Sequence, residues 1–288
     1  ENDRQTQSLM NDVKKLGIIH LFCISGMHVV LLVSILRRVL VYSHLEKRTI
    51  DLALICCLPA YLIIGGGAAS LIRAVVMAEA GLIGRRLALS GLDIWSVGLL
   101  VGFAIDPYVL LSLGGQLSYL LSFMLQVLPK GLNSWQEAAL MNLCGLPSLL
   151  SFAYEFHVSS FISSYLMIPF FSVAIFPAVI ISAFTYPFFF FFWNLVNGLL
   201  TILHQFLGSA ALMPGMVHFG KPAPPIALIL FLAILWSVAN PANRKNWHIT
   251  AGLFLIVFLI IHFPLSGEVT FVDIGQGDCI IVRAPLSR

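Results

Sequence analysis

The residues best placed to do chemistry begin with His20-Leu-Phe-Cys-Ile-Ser25-Gly26-Met-His28, two imidazoles and a hydroxyl inside an apolar run. Ser25 and His28 are three apart and so share one helix face. Arg73 follows in Gly65-Gly-Gly-Ala-Ala-Ser70-Leu-Ile-Arg73-Ala, small residues leading into a cation, with Glu79 further along the same run. A third segment runs from Asp106-Pro107 through Gly114-Gly115-Gln116-Leu-Ser118-Tyr119. It breaks helicity twice and offers an amide and a hydroxyl to neighbouring helices.

Polar groups at membrane depth face a protein interior or a wet cavity and often mark a pathway, because lipid leaves them unpaired. A guanidinium near the bilayer centre costs about 2.5 to 3.5 kcal/mol on insertion scales, so something must compensate Arg73. It can pair with a carboxylate, Glu79 or Asp106, or face an aqueous passage where phosphates go by. Ser25, His20, His28, Gln116 and Ser118 have a plainer alternative as glue between helices.

The elements that must hold these groups follow from composition. Of 288 residues, 59% are hydrophobic and 10% charged, against roughly 25% charged in an ordinary soluble domain. Too few ionised side chains remain to coat a water-soluble globule. An all-α polytopic membrane protein is expected, since a spanning helix needs about 20 mostly apolar residues. Ten runs qualify: 18–41, 50–64, 70–87, 92–105, 108–128, 135–152, 158–184, 187–206, 226–239 and 249–263. The second and fourth are short enough to be re-entrant. Pro147, Pro169, Pro177 and Pro187 imply kinks in the later runs.

Basic residues favour the cytoplasmic side. Arg37, Arg38, Lys47 and Arg48 form one cluster, Arg85 and Arg86 a second, Arg244 and Lys245 a third. Placing all three inside leaves both ends of the chain outside. The five cysteines (Cys23, Cys56, Cys57, Cys144, Cys279) form no CxxC pair, which argues against metal ligation and for small buried hydrophobes.

Three parts are expected: a polar segment over 1–17, the transmembrane part over 18–265, and a β-hairpin over 266–288. In the last, Val269-Thr-Phe-Val-Asp273-Ile and Cys279-Ile-Ile-Val-Arg283 flank Gly275-Gln276-Gly277-Asp278. A lone hairpin is marginal in water. It reads as the opening of a soluble domain continuing past Arg288, and with no initiator Met the chain is expected to be a piece of a longer protein.

The pattern resembles the ComEC-type competence proteins, the inner-membrane DNA-uptake channels of naturally transformable bacteria. His20 to Val29 is similar to their HLxxISGxHV signature, Ser70-Leu-Ile-Arg73-Ala to SxxRA, and Asp106-Pro107 with Gln116-Leu-Ser118-Tyr119 to DP and QLSF. Phe271-Val-Asp273-Ile-Gly-Gln-Gly-Asp278 is similar to the DVGQGD that opens their external metallo-β-lactamase-like domain. The family commonly has Asn where Ser164 stands, five residues before Pro169.

The resemblance implies a plasma-membrane channel carrying single-stranded DNA into the cytoplasm. The partners expected are that strand, the lipid bilayer, an external DNA receptor and a cytoplasmic ATP-driven translocase. No GxxxxGK[ST] loop occurs, so ATP hydrolysis is assigned to the partner. His20, Ser25, Gly26, His28, Arg73, Gln116 and Ser118 are expected to line or support the passage. Ser70, Asp106, Pro107, Pro169, Asp273, Gly275, Gln276, Gly277 and Asp278 are expected to serve structure. No cofactor and no bond-making step are expected within these residues. A divalent metal would belong to the nuclease-like domain beyond Arg288. Two rivals are an intramembrane serine hydrolase acting through Ser25 and a small-solute transporter, whose inverted repeats are not visible.

Overall fold

Helix follows helix because apolar runs are bounded by caps and breakers. The computed structural model describes residues 26–185, 190–212, 214–241, 243–263, 265–273 and 278–285. The polar segment 1–17, His20, Ser25 and Gly275-Gln276-Gly277 lie outside the described residues.

Helices α1 (Gly26–Tyr42), α2 (Lys47–Ile64), α3 (Ala69–Arg86) and α4 (Gly91–Ile105) come first. The start of α4 is fixed by a capping box in which the Ser90 hydroxyl accepts from the Asp93 N–H and the Asp93 carboxylate accepts from the Ser90 N–H. Its end is fixed by Pro107, which drives Asp106 to an extended conformation. A 3₁₀ turn (Val109–Leu111) leads into α5 (Leu113–Val127), where the Ser112 hydroxyl accepts from the Gly115 N–H. The double break expected after Ile105 is therefore present.

Helix α6 (Ser134–Ala153) opens on an Asn133/Gln136 capping box and closes on Tyr154 with φ 61°. Then α7 (Ser160–Phe170), a π-helical segment (Phe171–Ile175) and α8 (Phe176–Thr185) continue one another. Pro169 lies just before the segment and Pro177 just after it. A proline lacks the N–H of an α-helical bond and crowds the preceding turn, so the ladder widens locally instead of breaking. Helices α9 (Phe190–Leu212), α10 (Pro224–Ala239) and α11 (Arg244–His262) complete the bundle.

Three helical stretches have the length and hydropathy of a membrane span: Ser160–Ala183, Trp193–Leu212 and Arg244–His262. Gly91–Ile105 and Pro224–Ala239 are apolar but shorter. The other expected runs also form helices, yet α2 carries Lys47, Arg48 and Asp51, and α3 carries Arg73, Glu79, Arg85 and Arg86. These charges lower their hydropathy. The protein is thus a helical membrane protein with three clear spanning candidates among the described residues.

Close packing joins neighbours. Val29, Leu54, Leu58, Leu71, Val75 and Leu82 knit α1, α2 and α3. Met124, Cys144, Ile234 and Val238 knit α5, α6 and α10, and Met167, Phe171, Leu203 and Leu207 knit α7 and the π segment to α9. Trp95 Nε1 donates to the Tyr119 carbonyl at 3.0 Å and to the Ser122 hydroxyl at 3.1 Å, fixing α4 against α5. Cys144 is buried as expected, but Cys56 and Cys57 are exposed. That correction has a simple cause, since an apolar helix beside lipid need not turn its small residues inward.

Two antiparallel ribbons complete the fold. Strands β3 (Glu268–Asp273) and β4 (Asp278–Arg283) form the expected hairpin, in register from Glu268↔Arg283 to Asp273↔Asp278. An unexpected ribbon pairs β1 (Glu155–His157) with β2 (Met216–His218), joining the loop after α6 to the loop after α9. Strands this short carry too little alternation to be read from sequence.

Candidate functional site

Arg73 is the fifth residue of α3. At 1.5 Å per residue it stands roughly 20 Å along the helix from Arg86. At the Arg86 end, the Asp51 carboxylate meets Arg37 of α1 and, at 3.8 Å, Arg86 Nε, while Arg86 also donates to the Arg48 carbonyl. The first two basic clusters thus share one end of the bundle, as the orientation argument requires.

At Arg73 the picture is the reverse. Among the described residues no carboxylate comes within 4.0 Å of it, the ion pairs there being Arg37–Asp51, Arg86–Asp51 and His218–Glu155. Its Nε is buried with no hydrogen-bond partner among the described residues. The expected structural salt bridge to Glu79 or Asp106 is not formed. Asp106 instead accepts from the Tyr108 N–H at 3.0 Å and shapes the bend at Pro107.

The guanidinium lies over the start of α5. A Cβ on Gly114 would stand 3.2 Å from Arg73 Nη2, so the missing side chain is what lets the cation approach. Ser112 caps the Gly115 N–H, and the first turn of any helix carries further N–H groups without intrahelical acceptors. A cation and a helix N-terminus side by side repel each other and together attract an anion.

The other expected residues are placed as follows. Gly26 begins the described part of α1 and faces Ala74, next to Arg73, with its Cβ position 3.9 Å from the Ala74 Cβ. His28, two residues on, is buried with its ring 5.0 Å from that of Phe176 at a 56° tilt. Between them, Met27 Sδ accepts from the Ser172 hydroxyl in the π segment at 3.0 Å. Ser70 lies in the first turn of α3, three residues before Arg73 and on its face. Gln116 donates its side-chain N–H to the Leu110 carbonyl at 2.9 Å, so it closes the bend between α4 and α5. Ser118 is half-buried beside Tyr119, and Ser164 is buried five residues before Pro169. Asp273 and Asp278 face each other in the β3–β4 register.

One contributor was not foreseen. Tyr119 is almost wholly buried, and its hydroxyl, like Arg73 Nε, has no hydrogen-bond partner among the described residues. Its phenol reaches Gly102 of α4. The sequence signal is a tyrosine where the family's element ends in phenylalanine. No group of three or more metal-ligating side chains occurs among the described residues.

The chain is 27% identical to ComE operon protein 3 of Bacillus subtilis (strain 168) over 296 aligned positions, covering 96% of this chain and 38% of that protein. It therefore spans well under half the length of that relative. No solved structure matches. The family described as Competence protein matches residues 1–244, most of the chain and every helix that builds the Arg73 cluster, and the chain belongs to that family.

Proposed function

We propose that this chain forms the membrane-embedded conduit through which single-stranded DNA enters the cytoplasm during natural transformation. The observation carrying the reading is Arg73: a cation within the helical bundle, unpaired by any carboxylate among the described residues, placed over the start of α5. A strand bears a charge at every phosphate and cannot cross hydrocarbon without cations or polar donors along its way. Contacts of this kind touch the backbone and ignore the bases, which suits uptake of any sequence.

In this reading Arg73 and the first turn of α5 solvate phosphates, while Gly26, His28, Gln116 and the π segment hold the helices that place them. His20, Ser25 and Ser118 are assigned to the same passage. The protein sits in the bacterial plasma membrane with the Asp51 end inside and both chain termini outside. An external receptor delivers DNA and a cytoplasmic ATP-driven translocase pulls it. A metal-dependent nuclease-like domain is assigned to the longer protein.

The test replaces Arg73 with Ala and with Lys. DNA uptake falls at least tenfold in Arg73→Ala at unchanged protein level and recovers in part in Arg73→Lys. Full uptake in Arg73→Ala would reduce the residue to a packing role. The serine hydrolase reading is separated by Ser25→Ala, since a nucleophile has no substitute.

A further inference from the structure

We infer that α9 is a self-association surface, through which two copies of this chain pair side by side in the membrane. Trp193–Leu212 has the length and hydropathy of a span, yet Asn194, Asn197, Gly198, Thr201, Gln205 and Ser209 are all exposed along it. At about 100° per residue these positions fall within an arc of roughly 120°. Across the helix from that arc, Leu203, Leu207 and Ala210 are buried against Met167 and Phe171. The polar arc therefore points away from the core that α9 helps to build.

Depth makes this arrangement costly for a lone chain. Asn197, Thr201 and Gln205 lie within roughly 8 Å of the midpoint of the span along its axis. Thr201 and Ser209 settle their hydroxyls on carbonyls one turn back, those of Asn197 and Gln205, both at 2.8 Å. The carboxamides are less easily settled. A carboxamide facing hydrocarbon loses its hydrogen bonds to water and gains none in return, so polar groups in spans turn to protein or to a wet cavity. The side of α9 that suits lipid is a different one: Leu195, Ile202 and Phe206 are exposed on an adjoining apolar arc.

Chemistry selects the occupant. The polar arc carries no lysine, arginine or carboxylate, so it offers a phosphate none of what Arg73 offers, and a charged partner finds no counter-ion there. A carboxamide both donates and accepts, which makes the arc complementary to itself. Two copies inserted in the same orientation are related by a two-fold axis along the membrane normal. Their α9 helices then run parallel, and each arc residue meets its own counterpart. Beyond its own stretch of helix, no atom of the described residues lies within 4 Å of the Cβ position of Gly198, so the backbone is bare there and a second helix can come close. Pairing through this arc does not depend on whether the chain conducts DNA.

The experiment places single cysteines in a cysteine-free version of the full-length protein and oxidises native membranes with copper phenanthroline. Asn197→Cys and Gln205→Cys give a disulfide-linked dimer on a non-reducing gel; Leu195→Cys and Ile202→Cys, on the lipid arc, do not. In neutral detergent, light scattering of the wild type gives the mass of two chains. Asn197→Leu weakens that association about threefold, and Gln205→Leu adds a similar factor. Dimer bands of equal strength at all four positions would reflect random collision and overturn the surface. So would a wild-type protein that is monomeric both in membranes and in detergent. Labelling of Asn197→Cys and Gln205→Cys by a membrane-impermeant maleimide, without cross-linking, would assign the arc to a water-filled passage, overturning the pairing and strengthening the conduit reading.

Discussion

The Tyr119 hydroxyl occupies the volume that the Cβ of any other residue at position 102 would claim. The helices that meet at Trp95 and Ser122 are therefore drawn together at Gly102, about two turns further along α4, by the absence of a side chain. Gly102→Ala is expected to force the phenol aside and destabilise the protein by about 1 to 3 kcal/mol, the usual cost of overpacking. Adding Tyr119→Phe should recover part of that loss. Melting curves of the two variants check this, and a Gly102→Ala protein that melts like wild type would show that α4 and α5 separate freely.

Asp51 joins three helices at the opposite end. Asp51→Ala leaves Arg37 and Arg86 without their shared carboxylate. Fully buried pairs cost about 3 to 5 kcal/mol when broken from one side, but both arginines keep some contact with solvent, so about 1 to 3 kcal/mol is expected here. The double variant with Arg37→Ala should lose less than the sum of the single losses. Additive losses would mean that the pair does not couple α1 to α2.

Ser237 and Thr250 share a hydrogen bond of 2.8 Å between α10 and α11, and Thr250 also donates to the Ala233 carbonyl. Interhelical bonds of this kind average about 0.6 kcal/mol in membrane proteins. Ser237→Ala is expected to cost that order of stability and no DNA uptake. Lost uptake at normal protein level would extend the functional region to this helix pair.

The orientation assigned to the basic clusters predicts an accessibility pattern. A cysteine replacing Ser43, between α1 and α2, should react with a membrane-impermeant maleimide only in inverted vesicles. A cysteine replacing Val217, in β2, should react in intact spheroplasts. The opposite pattern would turn the protein over and place Arg73 towards the cytoplasm.

Much of the helical framework was legible because apolar runs and the Asp106-Pro107 break act locally. The Ser90/Asp93 capping box is just as local, its two residues being three apart, but it shows only in the structure. What escaped depends on distant partners. Asp51 looks like one charge among Lys47 and Arg48, and only the fold brings Arg37 and Arg86 to it. Tyr119 is only the last residue of the Gln116-Leu-Ser118-Tyr119 element in the sequence, and the fold alone sets Gly102 opposite it. Arg73 was visible as an anomaly, but its lack of a counter-ion among the described residues was not, since Glu79 and Asp106 both lie within sequence reach.

The short ribbon of β1 and β2 has a mechanical consequence. It staples the loop leaving α6 to the loop leaving α9, three residue pairs in register, across some sixty residues of chain. Dilation of the bundle on that side cannot be shared out gradually among α6, α7 and α9; their tips travel as one block or the staple peels. The Asp51 knot confers a similar rigidity on α1, α2 and α3 at the far side. Compliance is left to the seam between those two blocks, where Met27 and His28 lean on the widened turn at Ser172 and Phe176.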